Sequence, residues 1–190
     1  VTQGRIEAAV LDIFSAQEFH HVSLIDVAKH ANVSLQTIYK YYGSKERLLY
    51  SSLDSWMSQL MLRVKDHLQG IETYKDKLRK VVWLSLDFFE RNPKVAQLIL
   101  SSVYMNTWRK DETFKQRAVN NLMLQLLSDG IREGMLTDEV DEIMLLDMVY
   151  GALSRVVTMW MFRGQDEPLA EKAGPLFNLL WRAMVRQGVG

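Results

Sequence analysis

The stretch Ser23–Leu48, SLIDVAKHANVSLQTIYKYYGSKERL, decides the fold of this chain. Ser23 is placed to cap a helix, and Asp26, three residues on, supplies the second half of a capping box. Ile25, Val27, Ala28 and Ala31 give that helix an apolar side. His30, Ala31, Asn32 and Val33 form a turn in which Asn32 stands where a positive φ is needed, a conformation Asn tolerates far better than a β-branched residue does. Ser34 caps a second helix, Leu35 to Tyr42, which is too short and too polar to be explained by core packing. Ile38 and Tyr42 point inward there, and Gln36, Thr37, Lys40 and Tyr41 are left outward. After Gly43 the chain turns, and Ser44 caps a third helix. Helix, three- or four-residue turn and helix is the layout of a helix-turn-helix DNA reader.

The outward residue types suit that task. Gln and Lys hydrogen-bond base edges, a Thr methyl meets a thymine methyl, and Tyr hydroxyls suit phosphate oxygens. Lys45 lies in the first turn of the third helix, where a cation is unfavourable unless an anion such as a phosphate is near. In an arbitrary helix, Tyr39 and Tyr42 would read as half-buried core, and Lys40 and Lys45 as solvated surface charge. The surrounding pattern is what favours the nucleic-acid reading.

With Arg5 to Phe14 as a first helix, S-L-I-D-V-A-K-H-A-N-V-S-L-Q-T-I-Y-K-Y-Y-G-S-K-E-R-L-L resembles the tetracycline-repressor (TetR) family of bacterial transcription regulators. The resemblance covers roughly the first quarter of the chain. It implies that Ser23, Tyr39, Tyr41 and Lys45 hold phosphates and that Leu35, Gln36, Thr37 and Lys40 face the major groove. Asn32 stands where many members have Gly, and Tyr42 replaces a common Phe. The chain starts at Val1 rather than Met, with Arg5 the one basic residue ahead of the first helix, so preceding residues are expected to be missing.

Composition narrows the function classes. Lys+Arg and Asp+Glu both count 23, a neutral balance that argues against a nonspecific polyelectrolyte binder and makes DNA affinity a matter of local charge. Leu35 to Arg47 carries Lys40, Lys45 and Arg47 against Glu46. So few cations per subunit call for two copies on one operator. The absence of Cys excludes disulfides and thiolate sites and suits a reducing cytoplasm, the expected location. No secretory signal is visible at the N-terminus. The apolar run Ile143 to Phe162 is interrupted by Asp147, Ser154, Arg155 and Thr158, and reads as a buried helix rather than a membrane span. His20, His21, His30 and His67 are the only histidines, and nothing after residue 67 is His or Cys. No metal, cofactor or catalytic residue is therefore assigned, and an enzyme is the weakest reading.

Three Pro, ten Gly and no strand-like alternation between hairpin turns predict an all-α chain. A long helix is expected from Lys45 to about Leu68, then Tyr74 to Arg91, then a helix opened by Asn92–Pro93 and reaching about Thr107. Arg109 to Glu112 form a polar break. Further helices are expected from about Thr113 to Glu133, closed by Gly134, and from Thr137–Glu139 through Phe162. The last runs from Pro168 to about Gln187, with a break or kink at Gly174–Pro175. The expected architecture is a three-helix DNA-binding domain, residues 1–48, and a larger ligand-binding and dimerisation bundle, residues 49–190. Helix 45–68 links the two, and about nine helices are expected in total.

The helix from Glu139 to Arg163 is apolar nearly all round and must be buried on more than one side. Gly151, Ala152 and Ser154 are small enough to admit a second helix, and Met148 lies beside them. The last helix carries Phe177, Leu180, Trp181, Met184 and Val185. Both helices could instead complete a monomer core. The resemblance implies that the two form a four-helix dimer interface holding the recognition helices about 34–36 Å apart.

Trp83, Phe88, Tyr104, Met105, Trp108, Phe114, Met123 and Trp160 are candidates to line an adaptable apolar pocket, though each alone reads as ordinary core. As a set they favour an apolar or aromatic effector over a sugar or nucleotide. Asp87 and Arg155 are its candidate polar groups, because an unpaired charge in an apolar helix is costly. The resulting expectation is a homodimeric repressor on double-stranded operator DNA, released by a small apolar effector. A helical adaptor acting through protein contacts is the alternative.

Overall fold

A computed structural model describes residues 2–102 and 117–186. Among these are nine α-helices, two 3-10 turns and no sheet. The helices are α1 (Thr2–Ala16), α2 (Leu24–His30), α3 (Leu35–Tyr42), α4 (Lys45–Leu68), α5 (Tyr74–Arg91), α6 (Pro93–Ser102), α7 (Arg117–Arg132), α8 (Glu142–Phe162) and α9 (Ala173–Met184). Phe19–His21 and Ala170–Lys172 form the 3-10 turns. The expected extension of α6 to Thr107, the polar break at 109–112 and the start of α7 at Thr113 lie outside the described residues.

The chain divides into two compact units, Val1–Met57 with Asn92–Gln116, and Ser58–Arg91 with Arg117–Gly190. The first closes over Ile6, Val10, Val27, Ile38, Leu48 and Leu53, all essentially inaccessible to solvent. It also takes in α6, which packs on α1. Lys94 of α6 pairs with Asp12 of α1 at 2.6 Å, and His30 of α2 approaches the same carboxylate at 3.4 Å. The hydrogen bond and charge of Lys94, with the His30 contact, hold the Asp12 carboxyl below its ordinary value, against the opposing effect of desolvation.

The second unit is built on α5, with α8 and α9 packed against it and α7 against α8. Leu84, Leu86, Leu127, Leu136, Leu169 and Phe177 are its most completely buried large side chains. Each contributes about 1.5–3 kcal/mol of transfer free energy relative to an exposed position.

Two expectations about helix ends give way to tertiary contacts. Thr137–Glu139 does not open α8; the helix starts at Glu142, capped by the Asp141 carboxylate on the Met144 N–H at 2.8 Å. The Thr137 N–H instead donates to Met184 O at 2.8 Å, beside an isolated antiparallel bridge between Leu136 and Val185. Gly174–Pro175 does not break the last helix either. Pro175 falls in the first turn of α9, where its missing N–H is one of the groups that has no intrahelical partner anyway.

Asp87, buried in α5, is matched inside its own unit. Arg63 Nη1 lies 2.6 Å from one carboxylate oxygen, and Arg91 Nε donates to the other at 3.0 Å. Burial works to raise the Asp87 pKa, but the two guanidinium groups outweigh it and hold the carboxyl below its ordinary 3.8. A depressed native pKa contributes stability that is present above the unfolded value and lost as pH falls through the folded one. Asp87→Asn is therefore expected to cost about 1.5–3 kcal/mol at pH 7, the range for hydrogen bonds to charged groups. Urea unfolding should show that deficit shrinking below about pH 4. A deficit independent of pH would contradict the ion-pair account.

Candidate nucleic-acid interface and effector unit

The turn between α2 and α3 is built as the sequence dictates. Asn32 has φ 51°, and the Val33 N–H reaches back to Ala28 O at 3.0 Å while that of Asn32 reaches Lys29 O at 3.1 Å. This is a Schellman closure with Asn at the left-handed position. Ser34 Oγ accepts from the Thr37 N–H at 3.0 Å, and Ser44 Oγ accepts from that of Arg47 at 3.1 Å. Ser23 Oγ accepts from the Asp26 N–H at 3.1 Å, but its hydroxyl also donates to the Asp26 carboxylate at 2.6 Å. That cap spends the Ser23 proton locally.

Through these caps α3 presents Gln36, Tyr39, Lys40 and Tyr41 to solvent, with Leu35 and Thr37 half-buried beside them. Tyr39 and Tyr41 are 52% and 64% exposed, and the Tyr41 ring lies 6.3 Å from that of Tyr42, centre to centre. Thr37 Oγ1 lies 2.7 Å from Ser34 Oγ, so the hydroxyl is used in the cap and the methyl is what Thr37 has left to offer. Ile38 is fully buried and Tyr42 half-buried, which fixes the face that α3 turns inward. Ile25 is 51% exposed and does not belong to the apolar side of α2; it sits in the first turn, on the outer face.

Lys45 has a role that its sequence position does not reveal. Its ammonium donates to Phe19 O at 2.8 Å and Val22 O at 3.0 Å, and lies 4.4 Å from the centre of the Phe19 ring. It ties the 3-10 turn before α2 to the start of α4. Two of its three N–H groups are spent this way, and the third has no hydrogen bond among the described residues.

In the second unit the described members of the expected pocket set occupy different environments. Phe88 and Met123 are buried. Trp83 is half-buried and lines an open cleft of about 390 Å³ with Ile71, Asp76, Arg79, Lys80, Ala173 and Gly174. Lys80 Nζ lies 4.5 Å from the centre of its ring. Asp87 is ion-paired as described and offers no free charge to a guest. Arg155 is exposed on the outer face of α8, so it lines no interior pocket. Tyr104 and Trp108, with Met105 and Phe114, lie outside the described residues.

A group the sequence did not single out is Tyr150 of α8, whose buried hydroxyl has no hydrogen-bond partner among the described residues. Burial pushes its pKa up to about 12. Nothing in a helical apolar pattern distinguishes such a Tyr from ordinary core; the orphaned oxygen shows only in three dimensions.

The apolar faces of α8 and α9 also divide differently from expectation. Phe177, Leu180 and Met184 are buried within the protomer, and half-buried Trp181 stacks on Phe177 with ring centres 6.0 Å apart. These four form the inward face of α9. The outward face is Pro175, Asn178, Leu179, Arg182 and Ala183. On α8, Gly151 is exposed and Met148 and Ala152 are half-buried, so that part of the expected surface faces out. Met144 (57%), Phe162 (84%) and Leu179 (60%) extend this exposed apolar surface. α8 is long and apolar enough to cross a membrane by length and composition, with 33% of the qualifying window buried in the protomer.

Two family models account for most of the chain. Residues 6–50 match the bacterial regulatory proteins of the tetR family, and residues 53–183 match the C-terminal region of YsiA-like proteins. The chain belongs to the TetR family. Among relatives in this family, the fatty acid metabolism regulator protein of Bacillus subtilis (strain 168) is 26% identical over 179 residues, covering 92% of this chain and 91% of that protein. The HTH-type transcriptional regulator UidR of Escherichia coli (strain K12) is 23% identical over 159 residues, or 82% of this chain and 81% of UidR. FadR from Bacillus subtilis, solved in complex with stearoyl-CoA, superposes with a TM-score of 0.83 at 22% identity, covering 93% of this chain and 96% of that one. The TetR family and these relatives are transcription regulators, not enzymes. The chain is thus a helix-turn-helix DNA-binding regulator with a larger helical effector domain.

Proposed function

We propose that the chain is a cytoplasmic homodimeric repressor that leaves its operator when the effector domain takes up a long-chain fatty acyl-CoA. The observation that carries the effector assignment is where the similarity lies. The 26% identity to the fatty acid metabolism regulator spans the effector half as well as the DNA reader, and the sensing half is where effector choice resides. An acyl chain agrees with the Met- and Trp-rich composition, while its CoA end adds a nucleotide that composition alone does not favour. The working division is residues 1–48 for DNA and 49–190 for effector and dimer contacts. The exposed apolar surface of α8 and α9 supports pairing of two copies, since solitary proteins rarely leave such surfaces uncovered.

On DNA, Gln36, Thr37, Lys40 and Leu35 face the major groove, and Tyr39, Tyr41 and Ser23 approach phosphates. Lys45 contributes its remaining N–H to a phosphate as well as holding the Phe19–Val22 carbonyls. Lys45→Met is expected to weaken binding to every sequence and to flatten the slope of log affinity against log salt by about 0.9, one phosphate contact. It should also lower the melting temperature of the protein. An unchanged salt slope with lowered stability would assign Lys45 to positioning alone.

The unpaired Tyr150 hydroxyl is the proposed polar contact for the acyl thioester. Stearoyl-CoA at a hundred times its Kd should raise unfolding free energy by about 2.7 kcal/mol, readable as a thermal shift. Tyr150→Phe is expected to weaken that binding about tenfold while leaving the free protein as stable or slightly more so, because an orphaned buried hydroxyl is removed. No thermal shift with stearoyl-CoA would reject the effector assignment. A shift unaffected by Tyr150→Phe would reject only the residue.

A further inference from the structure

The outer face of α8 carries a charge pattern that is symmetric about one residue. Asp147 and Arg155 stand four residues before and four after Gly151, both exposed, and neither has an ion-pair partner among the described residues. Four residues advance a helix by about 6 Å and bring it back to nearly the same face, so the three form one stripe with glycine at its middle. The apolar members of the stripe share this spacing. Within α8, Met144 lies seven residues before Gly151 and Phe162 eleven after it, and the uncharged Thr158 lies seven after it.

Gly151 itself has no explanation inside the protomer. A Cβ built there meets nothing within 4 Å, whereas glycine in a helix interior costs about 0.5–1 kcal/mol relative to alanine. A glycine kept on an open face, between unpaired opposite charges and flanked by 57%- and 84%-exposed Met144 and Phe162, fits a close approach by a second helix.

We propose that two copies of α8 cross antiparallel with the two-fold axis beside Gly151, so that Asp147 pairs with Arg155 of the partner subunit and the reverse. This rests on the homodimer reading above and specifies its register. A two-fold contact is self-complementary. A parallel crossing would set Asp147 against Asp147 of the partner subunit and Arg155 against Arg155 of the partner subunit, which is repulsive. The antiparallel crossing converts both into opposite-charge contacts and sets Met144 against the uncharged Thr158 of the partner subunit. Gly151 removes the Cβ atoms that would otherwise separate the two backbones.

Charge reversal tests the register. Asp147→Arg and Arg155→Asp, each alone, are expected to weaken dimerisation about a hundredfold or more by analytical ultracentrifugation, because like charges then face each other. The double variant D147R/R155D restores both pairs and should return to within about fivefold of wild type, the ordinary scatter of context. Circular dichroism should be unchanged throughout, since both positions are exposed. The absence of native Cys allows a second readout. Gly151→Cys should cross-link to itself on mild oxidation, whereas Asp147→Cys should cross-link poorly alone and efficiently with Arg155→Cys. A dimeric wild type in which the double reversal does not recover, or in which Asp147→Cys links to itself, overturns the register and leaves the homodimer reading intact. A wild type monomeric at all concentrations overturns both.

Discussion

Gly130→Ala is expected to lower the melting temperature by about 4–12 °C, or roughly 2–3 kcal/mol at 2–4 °C per kcal/mol for a chain of this size. Helix propensity alone predicts the opposite sign, since alanine in a helix is favoured over glycine by about 1 kcal/mol. The geometry decides. A Cβ on Gly130 would lie 2.2 Å from the Tyr74 hydroxyl oxygen, 2.5 Å from its ring carbon Cζ and 2.9 Å from a Leu136 methyl. Tyr74 cannot step aside at little cost, because it is buried and its hydroxyl donates to Leu126 O at 2.7 Å, one turn earlier in α7. Gly130 also anchors the end of that helix, its carbonyl accepting from the N–H groups of Met135 at 2.9 Å and Leu136 at 3.0 Å. Tyr74→Phe in the Gly130→Ala background removes the nearest atom and should recover part of the loss. Gly4→Ala in α1, where an added Cβ meets nothing within 4 Å, is the control and should leave stability unchanged or slightly raised. A neutral Gly130→Ala would mean that α7 and α5 are spaced differently.

Gln36→Ala is expected to cost the operator about 5- to 150-fold in affinity, the 1–3 kcal/mol of one good base contact, while changing affinity for random DNA little. Gln36 is exposed in the first turn of α3 and has no hydrogen bond within the protomer among the described residues. Its amide is free to reach a base edge, most effectively adenine through paired donor and acceptor contacts. The expected signature is a relaxed preference at one position of each half-site in a selection from random sequence. Equal losses on operator and random DNA would place Gln36 on the backbone instead. The comparison with Lys45→Met is informative because that change should behave in the opposite manner, uniform across sequences and visible in the salt slope.

The parts of the fold that were legible in the sequence are those fixed by local chemistry. Ser34 and Ser44 cap the helices they precede, Asn32 adopts the positive φ its position demands, and α4 and α5 run between the residues that punctuate them. What local chemistry leaves open is which apolar face turns inward. α9 is apolar on both sides, and Phe177, Leu180 and Met184 rather than Leu179 face the core because α5 packs on that side. Arg155 reads as a buried charge when an apolar helix is taken as wholly enclosed, yet α8 leaves that stripe in solvent. The start of α8 was not legible for a similar reason, since the Thr137 N–H bonds Met184 O, nearly fifty residues away, and no nearby residue announces it. The exposure of Gln36, Tyr39, Lys40 and Tyr41 on α3 follows from the helical period once buried Ile38 fixes the inward face. The Lys45 contacts with the Phe19 and Val22 carbonyls and the orphaned Tyr150 hydroxyl depend on chain segments meeting from a distance.

The proposed switch requires that effector and operator oppose each other through the protein. A coupling of about 1–3 kcal/mol, or 5- to 150-fold in affinity, is the usual scale for such linkage. α6 follows α5 directly in the chain and packs on α1 of the DNA reader, so the chain itself joins the two units there. The most direct test is fluorescence anisotropy of an operator duplex, recovered by selection with the purified protein, titrated with stearoyl-CoA. The account predicts release of the duplex by stearoyl-CoA, with free CoA and free stearate far less effective at the same concentration. Retention of the duplex at saturating stearoyl-CoA, or failure of the protein to select any sequence, would contradict it.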